Sequence, residues 1–231
     1  MSENLNIACD EPCQDVVIFG TSSFGELAHY FFTHDSKYNV RAFTAHRKFV
    51  RSDVKFELPV VPFENLTERF PPKEYALFVA VGYRNVNQTR AEVFTDAKSK
   101  GYELVSYVHS SATVAENVEI GENTFVFEDQ TIQPFVEIGD NVVLWSGNHI
   151  GHHSTIGDHC FLTSHVVVSG HCKVEKYSFV GVNATIINEL TIGERSVIAA
   201  GATIIKDTMP GEVYIGTAAK LHSDNSSQSD I

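Results

Sequence analysis

The chain has few of the features that mark special classes of protein. Its 231 residues include only four cysteines, and no two of them form a CxxC pair or a zinc-finger spacing. Basic residues are scarce, with 17 Lys and Arg against 29 Asp and Glu, and the formal net charge is -12. That charge argues against broad binding to nucleic acid or to anionic membranes, although a local basic pocket for one phosphorylated ligand is still allowed. No apolar run approaches the ~20 residues that a membrane span requires.

The two ends of the chain are polar. The N-terminal residues MSENLNIACDEPCQD are acidic, which is unlike a secretory signal peptide. Disulfides are uncommon in reducing compartments, and the chain has no disulfide pattern, so we expect a soluble cytoplasmic protein. The C-terminal stretch 217–231 is rich in Ser and Asp, and we expect it to be a disordered tail.

A strict six-residue period runs through the second half of the chain. Seventeen consecutive positions spaced by six are Val, Ile or Leu, from Val108 to Ile204, without an insertion. No amphipathic helix keeps this period, because helical registers drift at 3.6 residues per turn. Small residues usually follow four positions later, among them Cys160 and Cys172, which we expect to fill the core. The pattern predicts a parallel β-helix over 106–216, with three short strands in each coil of eighteen residues.

The first half alternates strands and helices. Four strands are predicted, at residues 16–20, 38–45, 75–82 and 102–108. One helix is predicted after Gly20, where Ser23 and Glu26 fit a capping box. A second helix is predicted over 85–101, ending at Gly101. This alternation predicts a small Rossmann-like parallel α/β sheet over 1–105.

The loop after the first predicted strand carries a broken dinucleotide fingerprint. Gly20 and Gly25 occupy two of its glycine positions, but Ser22 replaces the middle one, so NAD is not expected. A sugar nucleotide lying over the carboxyl ends of the strands fits better. The candidate binding residues are Gly20, Ser22, Gly82, Arg84 and Asn85, with Arg84 able to hold a diphosphate. Turn and capping roles explain Gly82 and Asn85 nearly as well.

Six of the eleven histidines lie between His149 and His171. His152 and His153 follow the inward Ile150 by two and three residues, which places them at an outward corner of the coil. One coil further on, the same corner holds Gly170, and stacked coils are ~4.8 Å apart. A histidine base beside a backbone N–H is the arrangement that acyl transfer needs. A solvated corner is the simpler explanation for each of the other histidines.

Several stretches resemble one family of enzymes, among them VAVGYRNVNQTRAEVF, WSGNHIGHHSTIGDHCFLTSHVVVSGH and FVGVNATI. The chain from about 16 to 216 is similar to hexapeptide-repeat sugar acyltransferases with a left-handed β-helix. That family includes sialic acid O-acetyltransferases and N-acetyltransferases of nucleotide-linked amino sugars. The resemblance implies that His152 is the general base and that Gly170 contacts the acetyl carbonyl. His153 stands where some relatives have an acidic partner, and it is a candidate helper.

The resemblance also implies a coenzyme and an assembly. Acetyl-CoA would lie between subunits of a homotrimer, against the backbone of Val182 and Ala200 of a neighbouring copy, with Lys206 near the adenosine phosphates. We therefore expect a metal-independent N-acetyltransferase acting on a nucleotide-linked amino sugar for cell-surface glycans such as lipopolysaccharide O-antigen. Three alternatives stay open: O-acetylation of a sugar such as sialic acid, a zinc enzyme of the β-helical carbonic anhydrase type, and a non-enzymatic scaffold.

Overall fold

A computed structural model describes residues 14–218, and the predicted disordered tail lies almost entirely outside this range. The N-terminal part contains a five-stranded sheet, three α-helices and two short 3-10 turns. Its elements are β1 (Gln14–Phe19), α1 (Ser23–His34), β2 (Tyr38–Ala45), β3 (Val54–Lys55), β4 (Leu58–Pro62), α2 (Leu66–Arg69), β5 (Ala76–Val79) and α3 (Gln88–Ser99). Within the described residues, no helix is long and apolar enough to cross a membrane.

The sheet has the order β3-β4-β2-β1-β5, and all its pairs are parallel except β3 with β4. The predicted small parallel sheet is confirmed, and an antiparallel hairpin that the sequence did not predict is added at this edge. The sequence of the β3–β4 hairpin has no alternation of apolar and polar residues, because its strands are short and β4 contains two prolines. The predicted strand over 102–108 forms only a bridge from Leu104 to Leu77, and its last two residues belong to the next domain.

The predicted capping box at the start of α1 does not form. Ser22, rather than Ser23, is the N-cap residue of α1, and it makes no side-chain cap hydrogen bond. Glu26 instead pairs with Lys55 of the β3–β4 hairpin, at 2.7 Å. An ion pair with a neighbouring element thus replaces the local reciprocal contact that the sequence predicts.

The C-terminal part is a left-handed parallel β-helix built from three sheets. Seventeen two-residue strands follow one another at intervals of six residues, from β6 (Tyr107–Val108) to β22 (Thr203–Ile204), and β23 (Val213–Tyr214) closes one sheet. The register repeats every eighteen residues, so that Ile150 pairs with Ile132 and with Val168. The strands are β7 (Thr113–Val114), β8 (Glu119–Ile120), β9 (Phe125–Val126), β10 (Thr131–Ile132), β11 (Glu137–Ile138), β12 (Val143–Leu144), β13 (His149–Ile150), β14 (Thr155–Ile156), β15 (Phe161–Leu162), β16 (Val167–Val168), β17 (Lys173–Val174), β18 (Phe179–Val180), β19 (Thr185–Ile186), β20 (Thr191–Ile192) and β21 (Val197–Ile198).

The periodic aliphatic residues form the core of this domain, as the six-residue spacing predicts. From Val126 to Ile204 every one of them is buried, and Cys160 and Cys172 fill the core beside them. Burial raises the pKa of the Cys160 thiol to about 12, so this sulfur is an inert core atom. The first three are the exceptions: Val108 is 39 % exposed, and Val114 and Ile120 are only partly buried, because no earlier coil covers the first one.

The two domains share one aromatic core. Phe24 of α1 packs against Phe125 on the outer face of the β-helix, with ring centroids 5.6 Å apart. Phe127 and Trp145 extend the same cluster, with centroids 4.2 Å apart. The α/β domain therefore lies on the sheet that contains β9, β12, β15 and β18.

Arg90 of α3 fixes the domains to each other. Its guanidinium is fully buried and donates to four backbone carbonyls: that of Gly82 in its own domain and those of Asn141, His159 and Cys160 in the β-helix. Burial without a carboxylate partner lowers the pKa of Arg90 to about 9, so the group remains charged near neutral pH. These bonds hold the loop that begins at Gly82 against the β-helix.

We predict that Arg90→Lys lowers the free energy of unfolding by about 3 kcal/mol, because an ammonium group cannot reach the four carbonyls and leaves some of them unpaired. Denaturant titration followed by the fluorescence of Trp145, the one tryptophan in the chain, measures the change. Arg84→Lys is the matched control, since Arg84 is exposed in the same loop region. Equal stability of the two variants would contradict the role assigned to Arg90.

Candidate active site

The β-helix has three outward corners, and two of them carry the predicted site residues. We call the corner formed by Pro134, His152, Gly170, Asn188 and Lys206 the histidine corner; these residues follow the strands β10, β13, β16, β19 and β22. Because each residue is eighteen positions from the next, they stack one above another in successive coils. Val182 and Ala200 follow β18 and β21 and lie at a different corner.

His152 is exposed on the histidine corner and its ring lies across Gly170. A Cβ built on Gly170 would lie 2.8 Å from Cε1 and 2.9 Å from Nε2 of His152, against 3.3 Å from Nδ1. The Cε1–Nε2 edge of the imidazole therefore faces the backbone of the next coil. The His152 backbone N–H donates to Oε1 of Gln133 at 2.9 Å, which fixes the base of the side chain.

The backbone N–H of Gly170 is available to a ligand. Over residues 14–218, no group accepts a hydrogen bond from it. The N–H groups of Val182 and Ala200 are equally without an acceptor among the described residues, and both side chains are exposed. Free N–H groups at these corners can bind carbonyl or amide oxygens of a ligand that runs along the β-helix.

His153 contacts His152 directly, since their Nδ1 atoms are 3.1 Å apart. One of the two nitrogens must donate to the other, so this contact sets the tautomer of both rings. If His152 Nδ1 donates, Nε2 keeps its lone pair on the edge that faces Gly170. His153 can thus hold His152 in the form that accepts a proton.

The other crowded histidines have a conformational explanation. His153, His159, His165 and His171 all adopt a left-handed backbone, with φ between 58° and 61°, and histidine is one of the residues that tolerate it. His152 is not among the left-handed residues. His159 does not point into solvent as a corner residue would: its ring packs on Phe94, and its Nδ1 lies 2.9 Å from Asn141 Nδ2. Burial lowers the pKa of His159, which favours the neutral ring at the domain interface.

Lys206 is exposed on the histidine corner, two coils beyond Gly170. Two coils correspond to about 10 Å along the β-helix. A ligand anchored at Gly170 can therefore extend along the corner towards the ammonium group of Lys206.

The predicted sugar-nucleotide residues lie at the carboxyl edge of the α/β sheet. Gly20 directly follows β1, and Gly82 lies three residues after β5. The two strands are neighbours, and at their ends the Ala80 N–H donates to the Phe19 carbonyl at 2.7 Å. Gly20 has φ of 128°, and a Cβ there would lie 2.4 Å from the Ala80 carbonyl oxygen, so only glycine fits. The strands β2 and β4 lie on one side of β1, and β5 lies on its other side. In open α/β sheets, ligands bind at the carboxyl ends of the strands at such a switch point.

The loop after β5 is held in an unusual conformation. Asn85, Val86 and Asn87 all have positive φ, between 49° and 66°. The buried side chain of Asn87 donates to the carbonyls of Tyr177 and Ser178 in the β-helix. Three successive left-handed residues carry strain that only the surrounding structure can sustain, which is typical of ligand-binding loops. Arg84 and Asn85 are exposed on this loop.

The sequence analysis missed a basic cavity beside Gly20. Thr21, Arg51, Ser52 and Lys55 line it together with two valines, and its volume is about 170 Å³. This is a local basic pocket of the kind that the net charge still allowed. Four basic residues between 47 and 55 in an acidic chain were the available signal.

The histidine corner and the predicted sugar-nucleotide residues lie on different sides of one chain. The α/β domain packs on the sheet that contains β9, β15 and β18, whereas the histidine corner joins the other two sheets. A single chain therefore does not bring His152 together with Arg84 or Gly20. Exposed apolar side chains accompany the histidine corner, with Val167 and Ile187 each 37 % and Ile205 70 % exposed.

Comparison with known proteins agrees with this architecture. Residues 135–170 match the family model "Bacterial transferase hexapeptide (six repeats)". No curated protein sequence matches the chain. PerB from Caulobacter crescentus, solved with CoA and GDP-perosamine, is a similar structure, with 25% identity, a TM-score of 0.78 and a match over 86% of this chain and 92% of that one. The acetyltransferase domain of PglB from Neisseria gonorrhoeae FA1090 has 21% identity and a TM-score of 0.74, over 87% of this chain and 95% of that one. WeeI from Acinetobacter baumannii AYE has 19% identity and a TM-score of 0.71, over 87% of this chain and 95% of that one.

The repeat, the second domain and these likenesses define a hexapeptide-repeat transferase. The likeness to PerB, whose structure contains CoA and GDP-perosamine, supports the resemblance of the sequence to hexapeptide-repeat sugar acyltransferases.

We predict that Gly170→Ala lowers acyl transfer by about 100-fold, because the new methyl group would meet the His152 ring and displace it from its position over Gly170. Steady-state kinetics and thermal unfolding of the same sample separate this effect from loss of fold. Lys176→Ala, an exposed residue at the corner that carries none of the predicted site residues, is the control and should keep both properties. Full activity of Gly170→Ala would show that the His152–Gly170 contact is not part of the site.

Proposed function

We propose that the protein is an acetyl-CoA-dependent N-acetyltransferase that acts on a nucleotide-linked amino sugar. The observation that carries this proposal is the His152 ring, which lies over Gly170 of the next coil, where the backbone N–H has no acceptor among the described residues. A proton acceptor and an oxyanion donor are the two groups that direct attack of an amine on a thioester requires.

The reaction proceeds in a ternary complex without an acyl-enzyme. The sugar amine attacks the thioester carbon of acetyl-CoA while neutral His152 accepts the amine proton at Nε2. Negative charge that develops on the thioester oxygen is met by the Gly170 N–H. His153 accepts a hydrogen bond from His152 Nδ1 and is a positioning residue that keeps the Nε2 lone pair free. The C–S bond then breaks, and the leaving CoA thiolate takes up the proton held on His152, so that CoA is released as the thiol.

The coenzyme lies along the histidine corner. The pantetheine arm runs from Gly170 towards Lys206, whose ammonium group interacts with the adenosine phosphates. The free N–H groups of Val182 and Ala200 belong to another corner, so they contact the same coenzyme only from a neighbouring copy. The exposed apolar side chains beside His152 give that copy a surface to cover. We therefore propose a homotrimer with an active site at each junction.

The sugar nucleotide is held by the α/β domain. Gly20 and Ser22 come from one loop, and Gly82, Arg84 and Asn85 from the other, with the Arg84 guanidinium on the diphosphate. Arg51 and Lys55 in the neighbouring cavity add positive charge for the same group. PerB, whose structure contains CoA and GDP-perosamine, is a similar protein at 25% identity, which supports a ligand of this chemical class. We place the reaction in the cytoplasm, in the synthesis of surface glycans such as O-antigen.

The test follows CoA thiol release with UDP-, dTDP- and GDP-linked amino sugars, for the wild type and for His152→Gln. We expect strong turnover on one amino sugar and a fall of about 100-fold or more in the variant, since general-base catalysis contributes on this scale. Glutamine keeps the polarity of the position but accepts no proton near neutral pH.

His34→Gln is the control, because His34 is an exposed histidine at the end of α1, away from both corners. Release with hydroxyl sugars such as sialic acid and with none of the amines would replace N-acetylation by O-acetylation. Equal activity of His152→Gln and the wild type would overturn the assigned base.

A further inference from the structure

Three imidazoles converge on the histidine corner. His152 and His153 come from one coil and His171 from the next, and all three side chains are exposed. One ring nitrogen from each lies within 4.8 Å of the other two. The proposed transfer reaction uses His152 and His153 and has no role for His171.

The spacing of these rings approaches that of a metal site. The Nδ1 atoms of His152 and His153 are 3.1 Å apart, and two nitrogens bound to a tetrahedral Zn²⁺ at 2.0–2.1 Å would be about 3.3 Å apart. The His171 ring stacks on His153 with centroids 4.8 Å apart and stands perpendicular to His152 at 5.0 Å. Rotation of the His171 side chain is enough to complete a set of three ligands.

The backbone under the three rings is fixed. The His171 N–H donates to the His152 carbonyl at 2.9 Å, and the His153 N–H donates to the Pro134 carbonyl at 3.2 Å. The coil register thus holds the three Cα atoms in place, while the exposed rings remain able to turn. A metal ion would order only side chains, and this lowers the entropic cost of binding.

We propose that His152, His153 and His171 form a binding site for a divalent transition-metal ion of the Zn²⁺ class, and that the bound ion inhibits acyl transfer. Three neutral imidazoles with water in a fourth position are ligands that Zn²⁺ accepts readily. The ion takes no part in the transfer reaction. The binding site stands on the geometry alone, whereas the inhibition rests on the proposed function.

Inhibition follows from the lone pairs of His152. An ion at Nδ1 occupies the position that His153 serves in the active form, and the neutral ring then carries its proton on Nε2. That ring has no lone pair left for the amine proton of the sugar. A metal and a functioning base are therefore mutually exclusive at His152.

Binding is tested with the purified, chelator-treated full-length protein. Calorimetric titration with Zn²⁺ should show a site that His171→Asn weakens by about tenfold or more, since one of three ligands is lost. Asparagine tolerates the left-handed backbone at this position, where φ is 58°. His165→Asn is the matched control, with the same φ of 58° on another corner, and should bind as the wild type does. Absorption of the Co²⁺-loaded protein reports tetrahedral coordination.

Inhibition is measured by mass spectrometry of the acetylated sugar, because Zn²⁺ also binds the CoA thiol and would disturb a thiol reagent. We expect Zn²⁺ to stop turnover of the wild type and a chelator to restore it. His171→Asn should keep the basal rate and require about tenfold more Zn²⁺ for the same inhibition.

No Zn²⁺ binding to the wild type, or binding that His171→Asn leaves unchanged, would overturn the metal site. If Zn²⁺ binds the wild type, His171→Asn removes that binding, and the bound Zn²⁺ leaves turnover of the wild type unchanged, the inhibition alone is overturned. If the metal binds as expected and no amino sugar is acetylated, the proposed function fails while the site stands.

Discussion

The structure depends on one constraint, the eighteen-residue register of the β-helix. Each coil places an aliphatic side chain on the one before it and repeats the same parallel hydrogen bonds, from Val126 to Ile204. Because the register has no insertion, residues eighteen apart are neighbours at every corner. The contact between His152 and Gly170, the stacking of His153 on His171 and the line towards Lys206 all follow from it.

The same register explains how much could be predicted. A strict period of six residues has one structural solution, so the β-helix, its inward cysteines and the His152–Gly170 contact could be inferred from spacing alone. The α/β domain was harder, since its elements depend on contacts between distant residues. The β3–β4 hairpin carried no alternating pattern. Ser23 is not a cap because Ser22 takes the N-cap position, and Glu26 pairs with Lys55 instead. Arg90 has no local signature, because carbonyls from remote segments surround it, and the basic run around Arg51 and Lys55 does not by itself reveal the cavity that Thr21 helps to line.

The crowded histidines illustrate how one residue type serves several purposes. Left-handed corners accept histidine for conformational reasons, which accounts for His159 and His165 without any chemistry. His152 has no such reason, and its ring lies over Gly170, whose N–H has no acceptor among the described residues. Function therefore depends on which histidine the coil aligns with Gly170, rather than on the number of histidines.

The central claim is that a complete active site needs two chains, because His152 and Arg84 lie on different sides of one chain. The measurement is the activity of mixed assemblies of His152→Gln and Arg84→Glu chains, each inactive by itself, co-expressed and purified with two different tags. If each site takes His152 from one chain and Arg84 from its neighbour, every mixed trimer has one intact junction, so about a third of the sites in the doubly tagged assemblies are restored. Activity no higher than that of either variant alone would place the whole site within a single chain and contradict the account.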